Sequence, residues 1–182
     1  AMTFDTGSNT KTFKNDTAGE INLTGDNSTA MYATGAGTYT AENSGKITLG
    51  NSANANNPNV AMFTDKSRIT LKNNGKIIAG NKTVGLYGYT ADTGSSSDIN
   101  VGQGGTGIYS KGGNITLNGK MAVGAKDAVG VYSVGVGQTI INNATSIKIG
   151  DSSYGFVNKQ TAGGNTFISN TPSVKVGNDV VY

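Results

Sequence analysis

Aromatic side chains recur along this chain at a spacing that could align them for ligand binding. An apolar residue followed by an aromatic or apolar one occurs seven times, at Met31–Tyr32, Met62–Phe63, Leu86–Tyr87, Ile108–Tyr109, Val131–Tyr132, Phe156–Val157 and Val181–Tyr182. The second members of these pairs lie 31, 24, 22, 23, 25 and 25 residues apart. In one interpretation the second members face outward, as a ladder that could stack on sugar rings. Its tyrosines are Tyr32, Tyr87, Tyr109 and Tyr132.

The same series also has a packing interpretation, in which tyrosine lies inside or at a corner and the rings stack from coil to coil. Phe63 and Val157 occupy tyrosine positions without a hydroxyl, which favours this interpretation. The outward interpretation instead uses the small residues two positions before the tyrosines, which would leave room for a ring to lie flat. These residues are Ala30, Gly85, Gly107 and Gly130. The sequence leaves both interpretations open.

Lysines begin equivalent segments of several repeats and form a second set of candidate ligand contacts. Lys46, Lys76 and Lys120 share one phase of the repeat. Glu20 and Asp98 hold the same phase in other repeats, so a basic stripe would be interrupted. The 14 basic and 11 acidic residues are too balanced for a nucleic-acid-binding protein. We therefore expect mainly solvated charge that discourages association between sheets.

Catalysis would need clustered carboxylates or a nucleophile with a base, and the chain shows neither pattern. The 11 acidic residues are dispersed, unlike the paired or calcium-binding carboxylates of polysaccharide-cleaving sites. Asp26, Asp127 and Asp151 precede equivalent strands and could stack, which gives a calcium hypothesis. With no histidine, no cysteine and one arginine, serine-triad, thiol and histidine–metal chemistry lack their parts. The glycine-rich segment at 102–107 has the spacing of a dinucleotide-binding loop, but it precedes no helix that could hold a pyrophosphate. We therefore expect no enzyme, no metal and no cofactor.

The elements that would position these side chains are short strands. A second segment recurs in step with the first, and it alternates apolar and mostly polar residues before a turn. Examples are Gly45–Gly50, Gly75–Gly80, Asp98–Gly102, Lys120–Gly124 and Ser146–Gly150. This period of two directs the apolar residues toward a core. A third strand, as at Ile69–Leu71 and Ile115–Leu117, completes three strands per repeat, and frequent Gly, Asn, Thr and Ser leave no stretch for a helix.

Strands this short can form all of their backbone hydrogen bonds only if each repeat stacks on the previous one. We therefore predict an all-β fold, a right-handed parallel β-helix (β-solenoid) of about seven coils with 22–31 residues and three short strands each. Stacked aliphatic residues would form the core, at Ile47, Ile77, Ile99, Met121, Ile147 and Val174. Corner asparagines would form amide ladders, at Asn73, Asn74, Asn118, Asn142, Asn143 and Asn170.

These units also carry a resemblance to a known family. Ala128–Tyr132, Gly105–Tyr109 and Gly45–Gly50 resemble passenger repeats of type V autotransporters, most closely the very large outer-membrane adhesins of the fusobacterial kind. The resemblance implies that residues 3–182 are one β-helix segment of a longer passenger, and we take residues 1–2 as a cloning remnant. It also implies localisation at the bacterial cell surface, outer-membrane anchoring by a C-terminal barrel outside this segment, and adhesion to other cells.

Adhesion has a separate physical argument, because a repetitive rod presents periodic side chains that suit multivalent binding. The expected partner is a glycan or protein receptor on a host or bacterial surface. Inserted loops are the candidates for specificity. They are Asn51–Asn59, Gly88–Ser97 with Tyr89 near its start, and Asn158–Asn165. Two other functions stay open: an inert structural stalk whose binding site lies elsewhere, and a polysaccharide-active β-helix.

Overall fold

The protein is a β-solenoid whose chain winds repeatedly through three parallel sheets. The computed structural model describes residues 1–9, 11–160 and 162–182. Within these ranges there are 21 strands and no helix, and each sheet has seven strands in parallel register. The predicted parallel β-helix of about seven coils, with three strands each, is confirmed.

Each coil, numbered 1–7 in chain order, contributes one strand to each sheet. Sheet I contains Met2–Asp5, Thr29–Thr34, Val60–Thr64, Val84–Gly88, Thr106–Ser110, Val129–Gly135 and Tyr154–Gln160. Sheet II contains Phe13–Asn15, Tyr39–Asn43, Ile69–Asn73, Ala91–Thr93, Ile115–Leu117, Thr139–Asn142 and Thr166–Ser169. Sheet III contains Glu20–Leu23, Lys46–Leu49, Lys76–Ala79, Asp98–Val101, Lys120–Val123, Ser146–Ile149 and Val174–Val176. Strands of sheet I start 27, 31, 24, 22, 23 and 25 residues apart, which confirms the predicted coil lengths.

Alternating burial within each strand builds the core. In Lys46–Leu49, Ile47 and Leu49 are buried and the other two residues are partly exposed. The predicted aliphatic column is in register, in the order Ile47, Ile77, Ile99, Met121, Ile147 and Val174. Its members are buried except for Val174, which is 36% exposed. Burial of Val174 is the wrong part of this prediction, because Val174 lies in coil 7 and no described coil stacks on it.

Only one of the three predicted insertions is a long loop. Asn51–Asn59 contains no strand and accounts for the longest coil. The insertion predicted at Gly88–Ser97 is wrong, because it contains the strand Ala91–Thr93, in which Ala91 pairs with Leu71. A strand of three residues with one small apolar side chain gives little alternation to detect. The start of Asn158–Asn165 also belongs to a strand, Tyr154–Gln160, and Thr161 lies outside the described residues.

The last predicted repeat, Val181–Tyr182, is out of register with the others. Val181 forms an isolated parallel bridge with Tyr154 and does not pair with Phe156. The Tyr182 ring instead lies edge-on to the Phe156 ring, with centroids 5.7 Å apart, where it packs on the end of the core. Sheet I takes its seventh strand from the other end of the chain, at Met2–Asp5.

A ladder of asparagine amides follows the strands of sheet II in the first three coils. Asn15 Nδ2 donates to Asn43 Oδ1 at 2.8 Å, and Asn43 Nδ2 donates to Asn73 Oδ1 at 2.7 Å. Asn73 Nδ2 then donates to Ser97 Oγ at 2.7 Å. All three asparagines are buried. Each buried amide therefore finds its partner in a neighbouring coil, as buried polar groups require.

The other predicted corner asparagines do not extend this buried ladder. Asn143 and Asn170 form a separate, exposed amide pair, with 2.8 Å between Asn170 Nδ2 and Asn143 Oδ1. The side-chain amides of Asn74, Asn118 and Asn142 donate to a carboxylate, a backbone carbonyl and hydroxyl groups, respectively. For these three residues the ladder prediction is wrong: Thr93 and Leu117 lie between Asn73 and Asn142 in the register column, and Asn74 and Asn118 lie one position beyond that column.

Candidate functional site

The aromatic residues of the repeat form a ladder on the outer face of sheet I. The ladder runs in register through Tyr32, Phe63, Tyr87, Tyr109 and Tyr132. The residue before each ring is buried, whereas each ring is partly exposed. The rings therefore face outward, and the interpretation that places tyrosine inside the coil is wrong.

The rings from Phe63 to Tyr132 stack on one another. The centroids of Phe63 and Tyr87 are 5.3 Å apart, and their planes differ by 24°. The centroids of Tyr87 and Tyr109 are 4.7 Å apart and their planes differ by 4°. For Tyr109 and Tyr132 the centroid distance is 5.2 Å and the angle between the planes is 19°. Stacking of this kind is favourable and covers the ring faces. Coil-to-coil stacking is thus confirmed for these rings, which leave mainly their edges for a ligand.

The small residues two positions before the tyrosines allow close approach of neighbouring backbones and do not make room for the rings. Gly85, Gly107 and Gly130 are buried on the inner side of sheet I. A Cβ atom on Gly85 would lie 2.5 Å from the carbonyl oxygen of Gly107, and one on Gly107 would lie 2.6 Å from that of Gly130. Neighbouring coils approach too closely here for a side chain. The prediction that these residues make room for a flat ring is wrong.

Stacking gives the ladder a predicted pH dependence. Burial raises the pKa of the Tyr109 hydroxyl, and the phenols of Tyr87 and Tyr132 raise it further because their ionised forms would repel a third phenolate. The folded state therefore holds this proton more tightly than the unfolded state. Its contribution to stability is present below the unfolded pKa of about 10 and is lost as the pH rises through the folded pKa.

We expect the free energy of unfolding to decline at pH values above about 10, and denaturant titrations over this range would measure the decline. Tyr109→Phe removes the titrating group, so its decline should be shallower than that of the wild type. Equal slopes for the two proteins would contradict a role for the Tyr109 proton.

The ladder opens at its Tyr32 end, where a groove lies beside the inserted loop. The centroids of Tyr32 and Phe63 are 5.2 Å apart but their planes differ by 58°, so these two rings do not stack face to face. The groove has a volume of about 330 Å³. Its lining consists of Asn27, Thr29, Tyr32, Asn56, Asn57, Pro58, Val60, Phe63 and Tyr87. Three aromatic rings therefore line the groove together with the Asn51–Asn59 loop.

Asn59 holds this loop against the coils. Its side chain is buried, and its Nδ2 donates to the carbonyl oxygens of Gly25, Gly50 and Asn51 at 3.0, 3.3 and 3.3 Å. Its Oδ1 accepts a hydrogen bond from Ser28 N at 2.8 Å. These contacts reach two coils, so the loop is positioned before any ligand arrives. Preorganisation of this kind reduces the entropic cost of binding.

The rings of this groove and the loop were predictable from the sequence, but the individual polar residues were not. Asn56 and Asn57 come from the insertion, whose length was the available signal. Asn27 comes from the turn between sheets III and I, where it adopts a positive φ of 52°. The Asn51–Asn59 loop follows the turn of Asn27 by more than twenty residues in the sequence, and only the stacking of successive coils brings the two together.

The predicted lysines lie on the outer face of sheet III and not beside the ladder. Lys46 Nζ is 3.6 Å from Glu20 Oε1, and Lys76 Nζ is 3.8 Å from Asp98 Oδ2. Lys120 follows Asp98 in the same register column. The interruption of the basic stripe by carboxylates is confirmed, and solvent screens such exposed pairs.

Tyr89 also lies apart from the ladder. It follows the strand Val84–Gly88 and is partly exposed. The Nζ atom of Lys111 lies 5.5 Å from the centroid of the Tyr89 ring, within the range of a cation–π contact. The structure therefore brings together four of the five candidate tyrosines and leaves Tyr89 in a separate contact.

Two carboxylates of the calcium hypothesis bond to backbone amides. Asp26 Oδ1 accepts from Ala53 N at 3.1 Å, and Asp151 Oδ1 accepts from Asn178 N at 2.8 Å. Each bond links a turn to the equivalent turn of the next coil. Among residues 1–9, 11–160 and 162–182, no three His, Cys, Asp or Glu side chains form a group that could hold a metal ion.

Fold and site together define a β-solenoid protein with an outward aromatic ladder and a loop-walled groove. Comparison of the chain with models of protein families, with curated proteins and with solved structures found no match. In the part of the chain that the structure describes, no helix has the length and apolar character needed to cross a membrane.

Proposed function

We propose that this chain is an adhesive segment of a β-helix rod on a bacterial cell surface, where it attaches the cell to a glycan or protein receptor. The observation that carries the proposal is the groove, because it joins outward aromatic rings to a preorganised loop with amide side chains. Rings supply apolar contact and amides supply both donors and acceptors, the two needs of sugar recognition. A stacked rod would hold such a site away from the cell.

In this proposal the segment belongs to a longer outer-membrane passenger, and its receptor lies on a host cell or another bacterium. The resemblance of the repeats to autotransporter passengers supports both points. The segment would act by binding and not by catalysis. Its charged side chains support this view, since several pair with one another or with backbone amides, as Glu20 does with Lys46 and Asp151 with Asn178.

One observation favours a second candidate, the inert stalk. From Phe63 to Tyr132 the ring faces are covered by their neighbours. Most of the ladder would then stiffen the stack without contacting a ligand. If the segment is a stalk, the groove binds no ligand and the adhesive site lies elsewhere in the parent protein.

Binding of the fluorescently labelled chain to a glycan array, and to mammalian and bacterial cells, tests the proposal. We expect saturable binding that a soluble sugar competes away. Circular dichroism would show in parallel that the chain is folded. Absence of binding to any cell or glycan by the folded chain would contradict the adhesin proposal and favour the stalk.

A further inference from the structure

We infer that the groove between the Asn51–Asn59 loop and the Tyr32 end of the ladder binds an uncharged pyranose, one or two sugar rings at the end of a glycan chain. This inference rests on the proposed function and names its site and ligand class. It depends on three features of the groove, each taken from the part of the chain that the structure describes: an uncovered ring, side-chain amides without partners, and a lining without charged side chains.

The first feature is the break in ring stacking. A sugar ring binds an aromatic side chain by lying against its face. Between Tyr87 and Tyr109 the planes differ by only 4° at 4.7 Å, so each ring occupies the face that a sugar would need. Between Tyr32 and Phe63 the planes differ by 58°. An aromatic face is therefore accessible at this end of the stack and not in its middle.

The second feature is the set of asparagine side chains opposite the rings. Asn27, Asn56 and Asn57 are exposed. In the described part of the chain these residues donate only through the backbone nitrogen, to Asp26 Oδ1, to Asn54 Oδ1 and to Asn54 O, respectively. Within the described residues their side-chain amides are thus left for a ligand. An amide offers one acceptor and two donors, which matches sugar hydroxyls that both donate and accept.

The matched contrast is Asn59 in the same loop. Its amide is buried and fully engaged by backbone groups. Asn59 therefore fixes the loop, whereas Asn56 and Asn57 present free amides from it. This division between anchoring and presenting residues is typical of binding loops on a rigid scaffold.

The third feature is charge. Among the described residues, those that line the groove include no Asp, Glu, Lys or Arg. Lys66, which follows the ladder strand Val60–Thr64, is itself paired, with its Nζ 2.7 Å from Asp65 Oδ2. An acidic sugar would thus find no free cation in the lining to pair with its carboxylate, so an uncharged sugar is the better fit. The volume of about 330 Å³ lies at the lower end of small-molecule sites, which suits a chain end.

The experiment is ligand-observed saturation-transfer NMR on the full chain, with a panel of methyl glycosides of neutral pyranoses and of acidic sugars as probes. We expect transfer to at least one neutral glycoside and at least a tenfold loss of affinity in the double variant Asn56→Ala/Asn57→Ala. Among the residues that the structure describes, these two side chains make no hydrogen bond or ion pair, so the variant should keep the wild-type melting temperature. Tyr32→Ala should show a similar loss.

Tyr132→Ala and Asn143→Ala are the matched controls, a ladder ring and an exposed asparagine far from the groove, and each should bind within about twofold of wild type. Equal loss in the controls, no loss in the Asn56/Asn57 variant, or preference for acidic sugars with strong salt dependence would overturn the inference. If cells or glycans bind the chain while the groove variants bind normally, the adhesin proposal stands and the groove assignment falls. If the folded chain binds no cell and no glycan, both fall.

Discussion

Ile147→Asp is expected to unfold the coils around it while the opposite end of the solenoid keeps its structure. Ile147 is buried, and it lies in register between Met121 and Val174. An aspartate there would place an uncompensated carboxylate among aliphatic side chains, at a cost of about 3–5 kcal/mol. In a solenoid each coil contacts only its neighbours, so the loss should spread from coil 6 and then fade.

Hydrogen exchange and thermal melts would measure this effect, and Ser146→Asp is its matched control. Ser146 lies in the same strand, faces outward and gives the same change in charge. An aspartate at this position would lie next to Lys120 in the register. We expect the control to melt within a few degrees of the wild type. Wild-type protection of coils 5–7 in Ile147→Asp would contradict the core position of Ile147.

Asn43→Ala is expected to give the largest loss of stability among polar substitutions. Asn43 is the middle rung of the buried amide ladder, with bonds of 2.8 Å to Asn15 and 2.7 Å to Asn73. Truncation would remove the acceptor of Asn15 Nδ2 and the donor to Asn73 Oδ1. Each buried polar group left without a partner costs about 1–3 kcal/mol. Two groups lose a partner, so a total loss of about 2–6 kcal/mol follows, and denaturant titration would measure it.

Asn143→Ala provides the comparison, because Asn143 also takes part in an amide–amide bond, at 2.8 Å to Asn170, but is exposed. Water can replace that partner, so the change should be within about 0.5 kcal/mol of the wild type. Similar losses for Asn43→Ala and Asn143→Ala would show that burial does not determine the contribution of these amides.

Sequence predicted the fold well because the same physical constraint acts in every coil. Ile47, Ile77 and Ile99 are each followed by a polar or outward-facing residue and then by a glycine turn. Because this pattern recurs in successive coils, the repeat can be recognised from the sequence. Prediction failed where a coil departs from this pattern. Ala91–Thr93 has too few apolar residues to show alternation, and Val181 changes partners at the end of the stack.

The candidate site was predictable only in part. Spacing placed Tyr32, Tyr87, Tyr109 and Tyr132 in one column, and the long segment Asn51–Asn59 marked a loop. The spacing of residues in the sequence does not predict the angle between ring planes. The angle between the Tyr32 and Phe63 rings distinguishes the open end of the ladder from its covered middle. Nor does the spacing show that Asn27, from another turn, completes the groove.

Parallel pairing between successive coils directs the backbone hydrogen bonds along the long axis of the molecule. Tension applied along that axis would load these bonds in series, and the chain would peel one coil at a time instead of shearing as a block. Each released coil of 22–31 residues would lengthen the tether by roughly 70–100 Å. Under flow, such a molecule would yield in steps and absorb mechanical work while its remaining coils stayed stacked.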